Sequence, residues 1–220
     1  MAAIVTVEQG VALIAPAGAG VAALAETMQE LSWEPTVRVA VIALDGDTDT
    51  GEPGTPDDLL RLERSILPMV AALTGYVAGV ALDVALACDI RVADHEATLQ
   101  FSSVGGRRMM ALLGIERQVA LLERRLRCDA ATALEAGLVS ATAPPGEALN
   151  EALAVARTIA SRGPIAVRLA KEALWRGREL PLEQALRFET DLTLLLQTTK
   201  DRAEGVRAFM EKRPPVFMGE

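Results

Sequence analysis

The sequence predicts an α/β core that gives way to a helical C-terminal region. Three observations carry this. Val37–Leu44 (VRVAVIAL) and Met69–Leu73 are short, almost wholly apolar runs, as strands covered on both faces are. Segments with apolar residues at helical spacing alternate with such runs through the first half, and from Ala111 onward the pattern is helical. Half of the 220 residues are apolar, yet only seven are aromatic (two Trp, one Tyr, four Phe), so the core must be built from Ala, Val and Leu. Small side chains of this kind suit helices packed closely on a parallel sheet. The chain divides into a core over residues 1–145 and a helical region over 146–220.

The elements follow in order. Ile4–Val7 and Val11–Ala15 are β-prone runs around Glu8-Gln9-Gly10, a hairpin pattern. Leu24, Met28 and Leu31 recur at helical spacing within Val21–Leu31. After the strand Val37–Leu44 comes an acidic, Gly- and Pro-rich loop over Asp45–Pro56. Asp57–Leu67 then reads as an amphipathic helix stopping before Pro68. The strand Met69–Leu73 leads into a turn at Thr74-Gly75-Tyr76. Val77–Ala87 is apolar nearly all round and reads as a helix inside the core. Ile90–Ala93 and Thr98–Phe101 are strand-like around Asp94-His95-Glu96. Helices are predicted over Glu116–Arg125, Ala130–Glu135, Glu147–Arg162, Ile165–Arg176, Pro181–Thr199 and Asp201–Lys212.

Charge and composition exclude several functions. A formal charge of −8 argues against general affinity for nucleic acid or anionic membrane, since phosphate binding needs a basic surface. Cys88 and Cys128 fit neither a metal spacing nor a disulfide scaffold, which suggests a reducing compartment. The N-terminus lacks a basic region and enters a strand at once, and no apolar run reaches the roughly 18 residues of a spanning helix. A cytoplasmic location is expected. Asp45, Asp47 and Asp49 alternate like a calcium loop, but Thr50 stands where Gly is needed and Pro56 where Glu is needed. No metal is expected. His95, the only histidine, reads as a surface turn residue.

Pro68–Val92 (PMVAALTGYVAGVALDVALACDIRV) closely resembles the core signature of the enoyl-CoA hydratase/isomerase (crotonase) superfamily. Ala130–Ser140, Gly163–Leu174 and Asp201–Gly219 resemble further segments of that family in the right order. The resemblance implies the crotonase (ClpP-like) fold, with repeated ββα units and C-terminal trimerisation elements, and hence a homotrimer or hexamer. It also implies an acyl-CoA or carrier-protein thioester as substrate. No cofactor is required, coenzyme A being part of the substrate. The family's shared device is an oxyanion hole of two backbone N–H groups that receive the thioester oxygen as it gains enolate charge. Matching the motifs puts one donor at Val80, at the start of the buried helix, and the other at Thr50, just before Gly51. A C-terminal Phe and Lys that contact the coenzyme A of a neighbouring subunit match Phe209 and Lys212.

The acid–base residues depart from the pattern. Hydration uses two carboxyl groups across one water. The first position falls on Asp83, where hydratases carry Glu; the second falls on Gly105, which cannot titrate, in a stretch shorter than its family counterpart. Asp83 has two readings. An acidic residue early in a helix is stabilised by the helix dipole, whereas a carboxylate buried in an apolar helix would need a role or a partner. Arg107-Arg108 and Arg124 to Arg127 have the plainer reading of solvated helix faces. Two functions stay open: an enoyl-CoA hydratase-like enzyme of hydration, isomerisation or decarboxylation, and a non-catalytic protein that binds acyl thioesters or assists a partner in a biosynthetic, for example polyketide, pathway. Decarboxylation of a β-carboxyl thioester needs mainly enolate stabilisation, so the loss at Gly105 hurts it least.

Overall fold

The computed structural model describes residues 2–46, 48, 50–101 and 127–220. Among them a six-stranded sheet runs in the order β1-β2-β3-β4-β6-β9: β1 (Ile4–Glu8), β2 (Val11–Ala15), β3 (Val39–Leu44), β4 (Met69–Leu73), β6 (Ile90–Asp94) and β9 (Ala141–Ala143). Only the β1–β2 hairpin is antiparallel; the other pairings in this sheet are parallel. A smaller sheet of β5 (Tyr76–Ala78), β7 (Thr98–Gln100) and β8 (Arg127–Asp129) stands beside it. The helices are α1 (Gly20–Trp33), α2 (Pro56–Glu63), α3 (Gly79–Ala87), α4 (Ala130–Ala136), α5 (Ala148–Ala160), α6 (Pro164–Gly177), α7 (Leu182–Gln197) and α8 (Lys200–Glu211).

The period-two alternation of a strand explains how the sheet is covered. Ala40, Ile42 and Leu44 of β3, with Met69, Ala71 and Leu73 of β4, join Leu24 and Met28 of α1 and Val84 of α3 in one core layer. Val39 and Val41, with Val70 and Ala72, meet Ala148, Ala152, Ala156 and Ala160 of α5 on the other face. Four alanines at every fourth position let α5 approach the sheet closely. Both faces are dry, which is why these strands read as unbroken apolar runs.

Several boundaries differ from the sequence reading. α2 ends at Glu63 rather than Leu67; its start is set by a capping box in which Thr55 and Asp58 exchange hydrogen bonds. The turn expected at Thr74–Tyr76 yields at Tyr76 to β5, and α3 begins two residues later than expected. Strands β8 and β9 were not expected at all; each is three residues long and gains its hydrogen bonds only from a distant partner strand. The predicted helix over Glu116–Arg125 lies outside the described residues.

Candidate functional site

The candidate site lies at the carboxyl ends of β3 and β4, parallel neighbours in register from Ala40–Met69 to Leu44–Leu73. In open parallel sheets this is where loops converge and ligands bind. The loop after β3 lies against the segment after β4. Thr74 N–H donates to the Leu44 carbonyl at 3.1 Å. At Gly46 a Cβ would stand 2.7 Å from the Tyr76 amide nitrogen, so only glycine fits that approach. The same loop is tied to α1: Gly20 N–H donates to the Thr50 carbonyl at 3.1 Å and Val21 N–H to the Glu52 carbonyl at 3.2 Å. Gly51 has φ +62, and a Cβ there would meet the Gly18 carbonyl oxygen at 2.5 Å. Thr50, 8% exposed, is thereby held in place by its backbone neighbours.

Val80 is the second residue of α3. The first amides of a helix have no partner within it, and Ala78 at the N-cap offers no side-chain cap. The Val80 N–H therefore sits in an uncapped first turn at the positive end of the helix dipole. Its side chain is half-buried against the core.

Asp83 is exposed, so of its two readings the one that needs a buried carboxylate does not hold. Ala81, Leu82 and Val84 to Ala87 are buried, whereas Gly79, Val80 and Asp83 line the more open side of α3. The helical period separates these positions even in an apolar sequence. Burial thus gives no reason to assign Asp83 a role; it stands one turn beyond Val80 on the same helix. Gly105, Arg107, Arg108 and Arg124 to Leu126 lie outside the described residues, as do Asp47 and Asp49. His95 is exposed in the turn between β6 and β7. Among the described residues no group of three or more His, Cys, Asp or Glu could hold a metal, and no helix is long and apolar enough to cross a membrane.

Phe209 is 85% exposed. Lys212 caps α8 in the left-handed region with φ 54 and is also exposed. Their region is anchored at the other end of the sheet. Lys171 of α6 donates to the Leu67 carbonyl at 2.8 Å and to Asp89 at 2.7 Å, just before β4 and β6 begin. Arg38, which precedes β3, donates to the Ala160 and Phe217 carbonyls at 3.0 and 2.7 Å. Val80, Thr50 and Asp83 are thus gathered at one end of the sheet, and Phe209 and Lys212 are not brought to them within one chain.

Sequence reasoning missed Arg91. Its guanidinium is buried and donates to the Cys88 carbonyl at 2.6 Å, the Ala85 carbonyl at 3.4 Å and the Leu138 carbonyl. The available signal was an arginine inside the strand-like run Ile90-Arg91-Val92. Burial pulls its pKa down, offset in part by Cys88 and Asp89. Burial, reinforced by Asp89, pushes the neighbouring Cys88 thiol up to about 12, so this buried cysteine stays a thiol.

The model of the enoyl-CoA hydratase/isomerase family matches residues 43–220, which include both candidate donors and the C-terminal segment. The chain belongs to this family. It is 31% identical over 223 aligned positions to an (E)-benzylidenesuccinyl-CoA hydratase of Thauera aromatica, covering 89% of this chain and 87% of that one. It is 33% identical to a 2,3-dehydroadipyl-CoA hydratase of Escherichia coli, over 72% of this chain and 66% of the other. The chain spans from 56% to 87% of the length of such curated relatives. A solved enoyl-CoA hydratase from Bacillus anthracis superposes with a TM-score of 0.87 at 27% identity, covering all of both chains. The fold is the crotonase fold expected of the sequence.

Proposed function

We propose that this family member binds an acyl-CoA and stabilises the enolate of its thioester between the N–H groups of Val80 and Thr50. The observation that carries this reading is that the uncapped first turn of α3 and the Thr50–Gly51 loop lie on the segments that leave the carboxyl ends of two adjacent parallel strands, segments that touch at Gly46 and Tyr76. Each such donor is worth roughly 3–4 kcal/mol in other enzymes, because it is already oriented when charge develops. Asp83 is the one carboxylate at an expected acid–base position, so hydration of an enoyl-CoA is slow and depends on it. An isomerisation or decarboxylation asks less of a second acid.

The exposed apolar side chains of α7 and α8, among them Leu182, Leu194, Phe209 and Met210, support assembly into a trimer or a dimer of trimers. In that assembly Phe209 and Lys212 reach the coenzyme A bound by a neighbouring subunit, which accounts for their separation from Val80 within one chain. The non-catalytic reading rests on the glycine at position 105.

Calorimetry with a saturated acyl-CoA and an assay with crotonyl-CoA test these points together. Lys212→Ala should weaken acyl-CoA binding about tenfold, as loss of a charge-assisted contact does, with a smaller loss at high salt. Asp83→Asn should abolish what hydration there is. Absence of acyl-CoA binding at millimolar ligand would defeat the coenzyme A reading. Binding without turnover of any enoyl- or β-carboxyl-CoA would favour the non-catalytic one.

A further inference from the structure

We infer that Arg91 is a positioning residue whose buried charge, seated at the carboxyl end of α3, strengthens the oxyanion donor at the other end of that helix. The inference rests on Val80 being such a donor. Arg91 is 4% exposed and donates to the Ala85, Cys88 and Leu138 carbonyls. The first two lie in the last turn of α3 and at its C-cap, the negative end of the helix dipole, where Ala85 also accepts from the Cys88 N–H. The guanidinium therefore replaces water as the C-terminal cap and also pins α3 to the segment following α4. All three acceptors are neutral, so its charge is left largely uncancelled by them. The nearby carboxylate, Asp89, is engaged by Lys171 at 2.7 Å and by the Met69 N–H at 2.8 Å. The neighbouring Cys88 is a buried thiol that accepts none of this charge, its own S–H donating to the Val84 carbonyl.

Val80 and Cys88 are eight positions apart, about 12 Å along a helix axis. At an effective dielectric constant of about 20, a unit charge at that distance changes the stability of an enolate about tenfold. Low-dielectric helix and sheet fill the space between, so salt screens this field little.

Acetoacetyl-CoA reads it directly. When this β-keto thioester ionises, the proton on the carbon between its carbonyls leaves to solvent. The electron pair spreads onto the oxygens, and the enolate absorbs in the near ultraviolet. Titrating the bound ligand compares its acidity on wild type with that of the free thioester. The wild type should make it more acidic. Arg91→Met should reverse this by about one pH unit, tenfold, while Arg91→Lys keeps most of it. Affinity for a saturated acyl-CoA should stay within about threefold in both. Asp89→Asn, nearly isosteric, should shift acidity the opposite way from Arg91→Met, because it removes a nearby negative charge without touching the cap. A merely structural Arg91 would lose affinity for the saturated acyl-CoA along with acidity in Arg91→Met. If bound acetoacetyl-CoA is no more acidic than free on the wild type, the oxyanion reading itself fails. If wild type acidifies it but Arg91→Met matches wild type, or Asp89→Asn has no effect, the role of Arg91 is overturned and the donor stands. Should Arg91→Met not fold, Arg91→Gln, which keeps an N–H donor but not the charge, decides in its place.

Discussion

α3 and α7 are both leucine- and alanine-containing helices, yet they end in opposite surroundings. α3 buries six of its nine residues within its own chain, whereas α7 buries only Leu192 of sixteen. The difference lies in what each is tied to. α3 follows directly from β4 and β5 and is clamped at its far end by Arg91, so the sheet supplies a surface for nearly every side chain. The helices after α5 are tied to the core by polar links, the Lys171–Asp89 pair and the Arg178–Glu63 pair among them. Such links fix a position without covering apolar area. A helix pattern therefore says that a face must be buried, and only its attachments say whether the same chain buries it.

The largest effect that would sharpen this contrast is in the core. Leu73 is fully buried at the carboxyl end of β4, and Leu73→Ala should cost about 2–5 kcal/mol in denaturant unfolding. Leu194→Ala on α7, the same chemical change, should cost the isolated chain less than about 0.5 kcal/mol and act instead on self-association, seen by sedimentation. Equal losses in the two variants would remove the distinction. A middle-sized effect is expected at the site loop. Gly51→Ala forces a Cβ against the Gly18 carbonyl at a positive φ, a strain of about 1–3 kcal/mol. It should lower melting temperature modestly and acyl-CoA affinity as well, since Thr50 would move; unchanged affinity would separate the loop from the site.

The smallest effect concerns how the C-terminal tail is held. Glu204 accepts from Arg213 at 2.6 and 3.0 Å and from the Val216 N–H at 3.1 Å. These contacts, the arginine's first, lower its pKa from the ordinary 4.5 to about 2. A folded value below the unfolded one means the contribution is present above about pH 4.5 and is lost as pH falls toward 2. Hydrogen exchange at Val216 should therefore quicken in that window while core amides stay protected. In Glu204→Gln the acid step should disappear. A half-buried surface pair of this kind contributes modestly and is partly screened by salt.

Much was legible in the chain alone. The strands β2, β3 and β4 and the helices α1 and α5 were plain because a long, regular pattern of apolar residues reflects burial on a single element. The family resemblance put candidate donors at Val80 and Thr50 and carboxylate positions at Asp83 and Gly105, since those depend on residue order. Tertiary structure decided the rest. β5, β8 and β9 are three-residue strands whose pairing energy comes from partners remote in sequence, so no local window contains it. Asp83 proved exposed because a helix in the core can still leave one side open, and which side depends on its neighbours. Arg91 looked like an interruption in a strand. Only the fold brings the last turn of α3 and the Leu138 carbonyl around it, and only there can a buried guanidinium find acceptors enough to replace water.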